Sequence, residues 1–355
     1  MRIAIDAMGG DNAPRELVLG AVAAAERDAS IHIILVGDES QIRPFLPPSA
    51  PSNISLHPAT QVVAMDEPPS SALRNKKDSG VAVATRLLKE GAVDACLSAG
   101  NTGAASAFAL FTLGRIAGID RPGIATIFPT AQHPLVLLDS GANVDCRPRH
   151  LADFAIMGAA YAPVIHSIIP GKRSGVSRGE MPRVGLLSIG EEESKGNELT
   201  KAAFPLIKEG AARGHYNFVG NVEGRDIGAG TVDIVVCDGF AGNITLKLAE
   251  SYVAMFNSLL KDAFLSSPQS KIGALLLKPA LKAMKARLDH KAWGGAVLLG
   301  VNGTCIICHG SADAYAISGA IRVAKETVNT DVAGKIRAAI AARPPLETLG
   351  NSVSK

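Results

Sequence analysis

The stretch Asp94–Ala107, DACLSAGNTGAASA, gathers the residues best suited to handling a small anion. The run 92–97 is short, mostly apolar and bounded by Gly91 and Gly100, which predicts a buried parallel strand. Ser98, Gly100, Asn101, Thr102 and Gly103 then crowd small and polar groups into one turn, and Ala104–Leu110 has the composition of a helix. A strand that runs through a glycine loop into a helix aims bare backbone N–H groups and the positive end of the helix dipole at one spot, which suits phosphate. The competing reading is an ordinary strand–helix turn in which glycine supplies only tight geometry. The loop is neither GxxxxGK[ST] nor a clean GxGxxG, so the other loops have to decide.

Those loops repeat the pattern. Asp6 ends an apolar strand and is followed by Gly9, Gly10 and Asp11, where Asp11 reads equally as a cap for a helix from Pro14 to Arg27. Asp139 closes the apolar run Leu135–Asp139 and leads through Ser140 to Asn143. After the strand 184–189, Lys195 is the one cation in an acidic run bounded by Gly190 and Gly196. It is either the cation of an active-site loop or simple neutralisation of surface acids. The strand 232–237 leads to Asp238, Gly242 and Asn243 ahead of a helix over 244–258, and His309 stands in the glycine loop after the last strand. Open α/β sheets place their ligand groups at the carboxyl ends of strands. Several such loops in one chain are hard to explain as packing and predict a cleft enzyme.

The elements that position them are those of a cytosolic α/β protein. The chain has 355 residues, 47% of them apolar and 4% aromatic, so it can bury a large core and offers few stacking platforms for nucleic acid. A net charge of +3 calls for no polyanionic partner by itself. The N-terminus meets Arg2 and Asp6 at once, which predicts no signal peptide, and no stretch approaches the roughly 20 apolar residues of a spanning helix. The five cysteines are scattered through apolar runs, as reduced thiols are. Cys305-Ile306-Ile307-Cys308-His309 matches the CxxCH of haem attachment, but its Ile pair and flanking glycines read as a buried strand entering a loop. Two cysteines and a histidine without a fourth ligand also make a poor zinc site.

One segment departs from the alternation. Residues 266–291 set Lys271, Lys278, Lys282 and Lys285 against an apolar face that includes Leu275 and Leu276, at roughly helical spacing. Such a basic amphipathic helix lies on an anionic membrane or binds an acidic partner; the alternative is a core or dimer-interface helix with a solvated basic face.

The motifs IAIDAMGGDNAP (3–14), SAGNTGA (98–104), LDSGAN (138–143), EEESKGNELTK (191–201), NVEGRD (221–226), DGFAGN (238–243) and HGS (309–311) together resemble the phosphate acyltransferases of bacterial phospholipid synthesis, in order from about residue 2 to 330. The family usually carries apolar residues where this chain has Cys305 and Cys308, a departure that leaves the chemistry unaffected. The resemblance implies transfer of a fatty acyl group from acyl carrier protein to inorganic phosphate, with no cofactor and no metal. It implies a three-layer α/β/α sandwich with a mostly parallel sheet, akin to phosphotransacetylases and the isocitrate/isopropylmalate dehydrogenases. The catalytic domain would span 1–335 as two lobes around a cleft, with 336–355 as a tail. It further implies a cytoplasmic homodimer held peripherally at an anionic membrane, handing its product to a membrane glycerol-3-phosphate acyltransferase. On the chemistry of that reaction, the amides of 98–103 hold phosphate, Lys195 offsets its charge or polarises the carbonyl, and Asn243 donates to the oxyanion. A phosphotransacetylase-like enzyme using acyl-CoA is the runner-up, and a metal- and NAD-dependent dehydrogenase on the same fold comes after it.

Overall fold

The computed structural model describes residues 1–168, 180–288 and 293–343, with backbone alone at 166 and 285–288. The first half alternates strands and helices: β1 (Arg2–Asp6), α1 (Arg15–Arg27), β2 (His32–Gly37), a single turn α2 (Glu39–Ile42), β3 (Ile54–Pro58), α3 (Pro69–Asn75), α4 (Gly80–Lys89), β4 (Ala95–Ser98) and α5 (Thr102–Leu113). The second half continues with β5 (Gly123–Phe128), β6 (Leu135–Leu138), α6 (Pro148–Ile168), β7 (Arg183–Leu187), α7 (Glu198–Ala212), β8 (Asn217–Val222), α8 (Gly224–Ala229), β9 (Ile234–Val236), α9 (Gly239–Leu265) and α10 (Pro268–Leu288). The chain then returns to the first half through β10 (Ala296–Leu299), β11 (Thr304–Ile307), α11 (Ala314–Asn329) and α12 (Val332–Ala341).

Eleven strands form one sheet in the order β3-β2-β1-β4-β11-β10-β5-β6-β9-β7-β8. Pairing is parallel from β3 to β11 and again from β6 to β8, while β11–β10, β10–β5 and β5–β6 are antiparallel. The strands of the two halves therefore point in opposite directions. The loops after β1, β4 and β11 gather at one end of the sheet, and those after β6, β9 and β7 gather at the end defined by the reversed strands. A single strand was expected before His309; a hairpin of two strands, β10 and β11, stands there instead. Its reversal is what joins the two parallel halves.

Side-chain alternation assigns the cores. Ile3, Ile5, Leu35 and Phe154 pack with α1, α6, α11 and α12 on one face, while Ala4, Val36, Cys96, Leu298 and Cys305 pack with α4 and α5 on the other. Farther along that second face, Leu137, Val235 and Cys237 meet Ile227 of α8 and Leu246 of α9. The result is the expected three-layer α/β/α arrangement. The α1–α11 contact needs Gly20, where a Cβ would sit 2.6 Å from that of Ile317. Cys305 and Cys308 are buried, as the strand reading of CxxCH expects.

Two boundaries differ from expectation. Ile336 and Ile340 of α12 are buried and Arg343 pairs with the fully buried Asp153, so the folded body runs past residue 335. Residues 344–355 of the expected tail lie outside the described residues. Helix α9 runs to Leu265 rather than 258, and Leu248, Tyr252, Met255, Phe256 and Leu259 along it are at least half exposed. The basic segment is indeed helical, with Lys271, Ile272, Leu275, Leu276, Lys278 and Lys282 exposed; the side chain of Lys285 lies outside the described residues. Helical periodicity identifies an apolar face but not whether the same chain covers it, so the second exposed stripe on α9 could not be read from spacing.

Candidate active site

A cavity of about 640 Å³ opens where the two halves of the sheet meet. Its floor is β5, through Ile124, Thr126 and Phe128, with Ala296 at the start of β10. Helix α5 contributes Thr102, Gly103 and Ser106 to one wall, and α9 contributes Asn243, Leu246, Lys247, Ala249, Glu250 and Val253 to the other. Ser140–Ala142, Trp293 and His309 complete the lining. The sheet order explains the arrangement: α5 packs over β4 and β11 and α9 over β6, and β5 between them faces the cavity together with Ala296 at the start of β10 and Ile307 at the end of β11.

Behind the α5 wall, Asp6 acts as a post. It is 4% exposed, its Oδ2 accepts from Ser98 Oγ at 2.8 Å, and Ser98 Oγ accepts from the Gly100 N–H at 3.1 Å. Its Oδ1 accepts the Met8 N–H at 3.4 Å. Burial raises the Asp6 carboxyl to about 6, against the pull of these donors. Gly9 and Gly10 lie over this network, and the Asp11 N–H donates to the Gly310 carbonyl at 2.8 Å, tying the β1 loop to the loop that holds His309. Asn101 caps α5 by accepting from the Ala104 N–H, while its Nδ2 donates to the carbonyls of Met65 and Glu67, both at 2.9 Å.

Asp139 is the corresponding post beneath the α9 wall. It is fully buried, and its carboxylate accepts the backbone N–H groups of Ile124, Gly141, Ala142 and Asn143 together with Asn143 Nδ2. Desolvation pushes this carboxyl upward from the ordinary range. Asn143 Nδ2 also donates to the Pro122 carbonyl at 2.7 Å. Asp238 caps α9 through the Ala241 N–H, and Gly242 lets that helix settle on the Asp139 carbonyl, which a Cβ would approach to 1.9 Å. These contacts seat Asn243 against Gly141.

Of the residues expected to bind substrate, only Thr102, Gly103, Asn243 and His309 line the cavity. Asp6, Gly9, Gly10, Ser98, Gly100, Asn101, Asp139, Asn143, Asp238 and Gly242 lie outside the lining, in the loops and caps that hold its walls, and Asp11 is exposed. Thr102 and Gly103, the first two residues of α5, line the cavity, while the Ala104 N–H is taken by the Asn101 cap. His309 Nδ1 lies 3.2 Å from the Ser311 N–H, which fixes it as an acceptor and leaves the neutral ring's proton on Nε2. Lys195 is exposed in the loop after β7, two strands from β6, and is not part of the lining. Lys247 is in the lining, one helical turn beyond Asn243, with its Nζ 2.9 Å from Glu250 Oε2. Ser106 is there too, one turn beyond Thr102, and its buried Oγ has no hydrogen-bond partner among the described residues. Their only signal in the sequence was i, i+4 spacing from residues already singled out, which becomes informative once the helix face is known.

The three-layer α/β frame that carries this cavity is the fold of phosphotransacetylases. The EutD phosphotransacetylase of Staphylococcus aureus superposes with a TM-score of 0.58 at 17% identity, covering 92% of this chain and 94% of that one. A phosphotransacetylase from Streptococcus pyogenes superposes with a TM-score of 0.60 at 16% identity, covering 93% and 94%. In sequence, residues 1–335 match a family described as fatty acid synthesis protein. The phosphate acyltransferase of Pelotomaculum thermopropionicum is 50% identical over 341 residues, 96% of this chain and 95% of that protein. That of Heliobacterium modesticaldum is 49% identical over 340 residues, 95% and 97% of the two chains. The chain belongs to the phosphate acyltransferase family and is an acyltransferase.

Proposed function

We propose that this enzyme transfers a fatty acyl group from the thioester of acyl carrier protein to inorganic phosphate, giving acyl phosphate and the free carrier thiol. The observation that carries the reading is the composition of the cavity, where Thr102 and Gly103 at the start of α5 and His309 share one space with the apolar residues Ile124, Phe128, Leu246 and Val253. Phosphate sits at the α5 amides. One of its oxygens attacks the thioester carbonyl carbon, an oxyanion forms, and the C–S bond breaks. The departing thiolate then takes up a proton from solvent. Asn243 Nδ2 and His309 Nε2 are the donors placed to meet the oxyanion. The acyl chain follows the apolar floor.

The exposed hairpin of α9 and α10 supports a peripheral contact with an anionic membrane. No helix of the described residues is long and apolar enough to cross one. Lys271, Lys278 and Lys282 beside Leu275 and Leu276 give that surface both charge and apolar area, and the same cations suit an acidic carrier. A homodimer that covers part of the α9 stripe, and delivery of acyl phosphate to a membrane glycerol-3-phosphate acyltransferase, complete the reading.

The test mixes purified protein with long-chain acyl carrier protein and phosphate, and follows hydroxylamine-trapped acyl phosphate beside released thiol. Phosphate-dependent appearance of both, with acyl-CoA a poor donor, is the expected result. Thiol release without phosphate would mean thioester hydrolysis, and turnover with acyl-CoA alone would mean a phosphotransacetylase.

A further inference from the structure

Asn101 is expected among the substrate ligands, yet both of its side-chain N–H hydrogens are spent inside the protein. Its Oδ1 accepts the Ala104 N–H at 3.0 Å, and its Nδ2 donates to the carbonyls of Met65 and Glu67, both at 2.9 Å, with the Ala64 carbonyl beside them at 3.4 Å. What those hydrogens hold is a strap, residues 64–69, laid over the start of α5. Pro69, which opens α3, packs on Gly103, where a Cβ would meet Pro69 Cγ at 2.8 Å. Met65 reaches the loop after β11, where a Cβ on Gly310 would meet Met65 Cε at 2.6 Å. Gly103 and His309, the neighbour of Gly310, both line the cleft. The strap is rooted by the pairing of Thr60 and Gln61 with Asp78 and by the buried Val63, but Ala64, Met65 and Asp66 beyond it are exposed. Over this exposed stretch Asn101 supplies the hydrogen bonds to the start of α5.

We propose that Asn101 is a positioning residue: it latches the strap to α5, and the strap, through Met65, holds the loop of His309 at a fixed distance from Thr102 and Gly103. This rests on the reading in which those groups act on one bound substrate. Asn101 touches no substrate itself. A displacement of about 1 Å between reacting groups costs up to about 10²-fold in rate, so a latch outside the lining still governs turnover.

The test separates the latch from the helix cap. Ser and Asp cap a helix as well as Asn does, but Ser is too short to reach the strap and Asp sets a carboxylate oxygen against its carbonyls. In the full chain, Asn101→Ser and Asn101→Asp are each expected to lower kcat about 10- to 100-fold, with KM for phosphate and for acyl carrier protein within about threefold of wild type. Met65→Ala cuts the strap's contact with the Gly310 loop. It is expected to lower kcat roughly threefold in the wild type and no further in Asn101→Ser, because two links of one chain are not additive. Hydrogen exchange of the amides of 64–67 should quicken in Asn101→Ser while that of 105–113 in α5 stays as in wild type. Wild-type kcat in Asn101→Ser, or a Met65→Ala loss that multiplies in full on top of it, would overturn the proposal. A raised phosphate KM at unchanged kcat would make Asn101 a phosphate ligand instead. If wild type forms no acyl phosphate, the proposed reaction falls and hydrogen exchange alone decides the latch; if it does and exchange in the strap is unchanged, only the latch falls.

Discussion

Asp6 and Ser98 face each other in register across β1 and β4, and the carboxylate takes the serine hydroxyl at 2.8 Å. Ser98 Oγ in turn receives the Gly100 N–H, so one buried carboxylate sets the direction of the loop that begins α5. Asp139 does the same for the loop under α9. The two acids look like substrate ligands in sequence; in the structure each carboxylate accepts donors from the loops beside one wall.

The Asp6 post gives a pH signature. Its carboxyl lies near 6 in the fold against an ordinary 3.8, so the folded state holds the proton more tightly than the unfolded chain. The stability it contributes is complete below about pH 4 and is lost as pH rises through about 6, an effect of about 3 kcal/mol. Asp6→Asn keeps an acceptor for Ser98 and removes the titration. Unfolding free energies measured by urea from pH 4 to 7 should therefore fall for wild type relative to Asp6→Asn, then run parallel above that window. Parallel curves throughout would show that Asp6 is not the titrating group.

Asp139→Ala removes the acceptor of four backbone amides and one side-chain amide, of which the Ile124 N–H is buried and the others part-buried beside the cavity. An orphaned buried donor costs about 1–3 kcal/mol and the part-buried ones less, so a loss of at least about 2 kcal/mol is expected. Urea unfolding measures it. A loss under about 1 kcal/mol would mean that the loop finds other partners and that Asp139 is no post.

The strand–loop–helix units around β1, β4 and β9 were legible because each pairs a short apolar run with a glycine turn and a helix cap. The distinction between post and ligand was not. An aspartate at a strand end reads the same whether it points down to backbone amides, as Asp139 does, or out to solvent, as Asp11 does. The reversal at β10 and β11 was also hidden, because four-residue apolar strands carry no mark of direction. In sequence Lys195 stands out as a lone cation among acids, while Lys247 carries no mark that separates it from the other polar residues of a long helix. Only the packing of α9 over β6 shows which of the two enters the cleft.

Asn243 provides the sharpest test of the chemistry. Its side chain is exposed at the cavity wall, seated by Gly141, and carries no structural hydrogen bond among the described residues. Asn243→Ala should fold normally, with turnover lower by ~10²–10³, the usual cost of one oxyanion donor. The donor KM should change little if the amide acts only in the transition state. Near-normal turnover would pass the role to His309 Nε2, and His309→Ala would then show the larger loss.

The hairpin of α9 and α10 separates charge from apolar contact. Replacing Lys278, Lys282 and Lys285 with glutamine removes three cations, each worth about 1 kcal/mol near an anionic surface, so partition onto phosphatidylserine-containing vesicles should weaken by roughly 100-fold at low salt. Binding to neutral vesicles should not change. Leu275 and Leu276 are 69% and 76% exposed, and Leu275→Glu with Leu276→Glu should weaken binding to both kinds of vesicle, because burial of apolar surface does not depend on lipid charge. Flotation assays read both. If neither variant alters vesicle binding and the glutamine variant also leaves the carrier KM unchanged, the exposed stripe serves a second copy of the chain instead. Light scattering would then show the leucine variant shifted toward monomer.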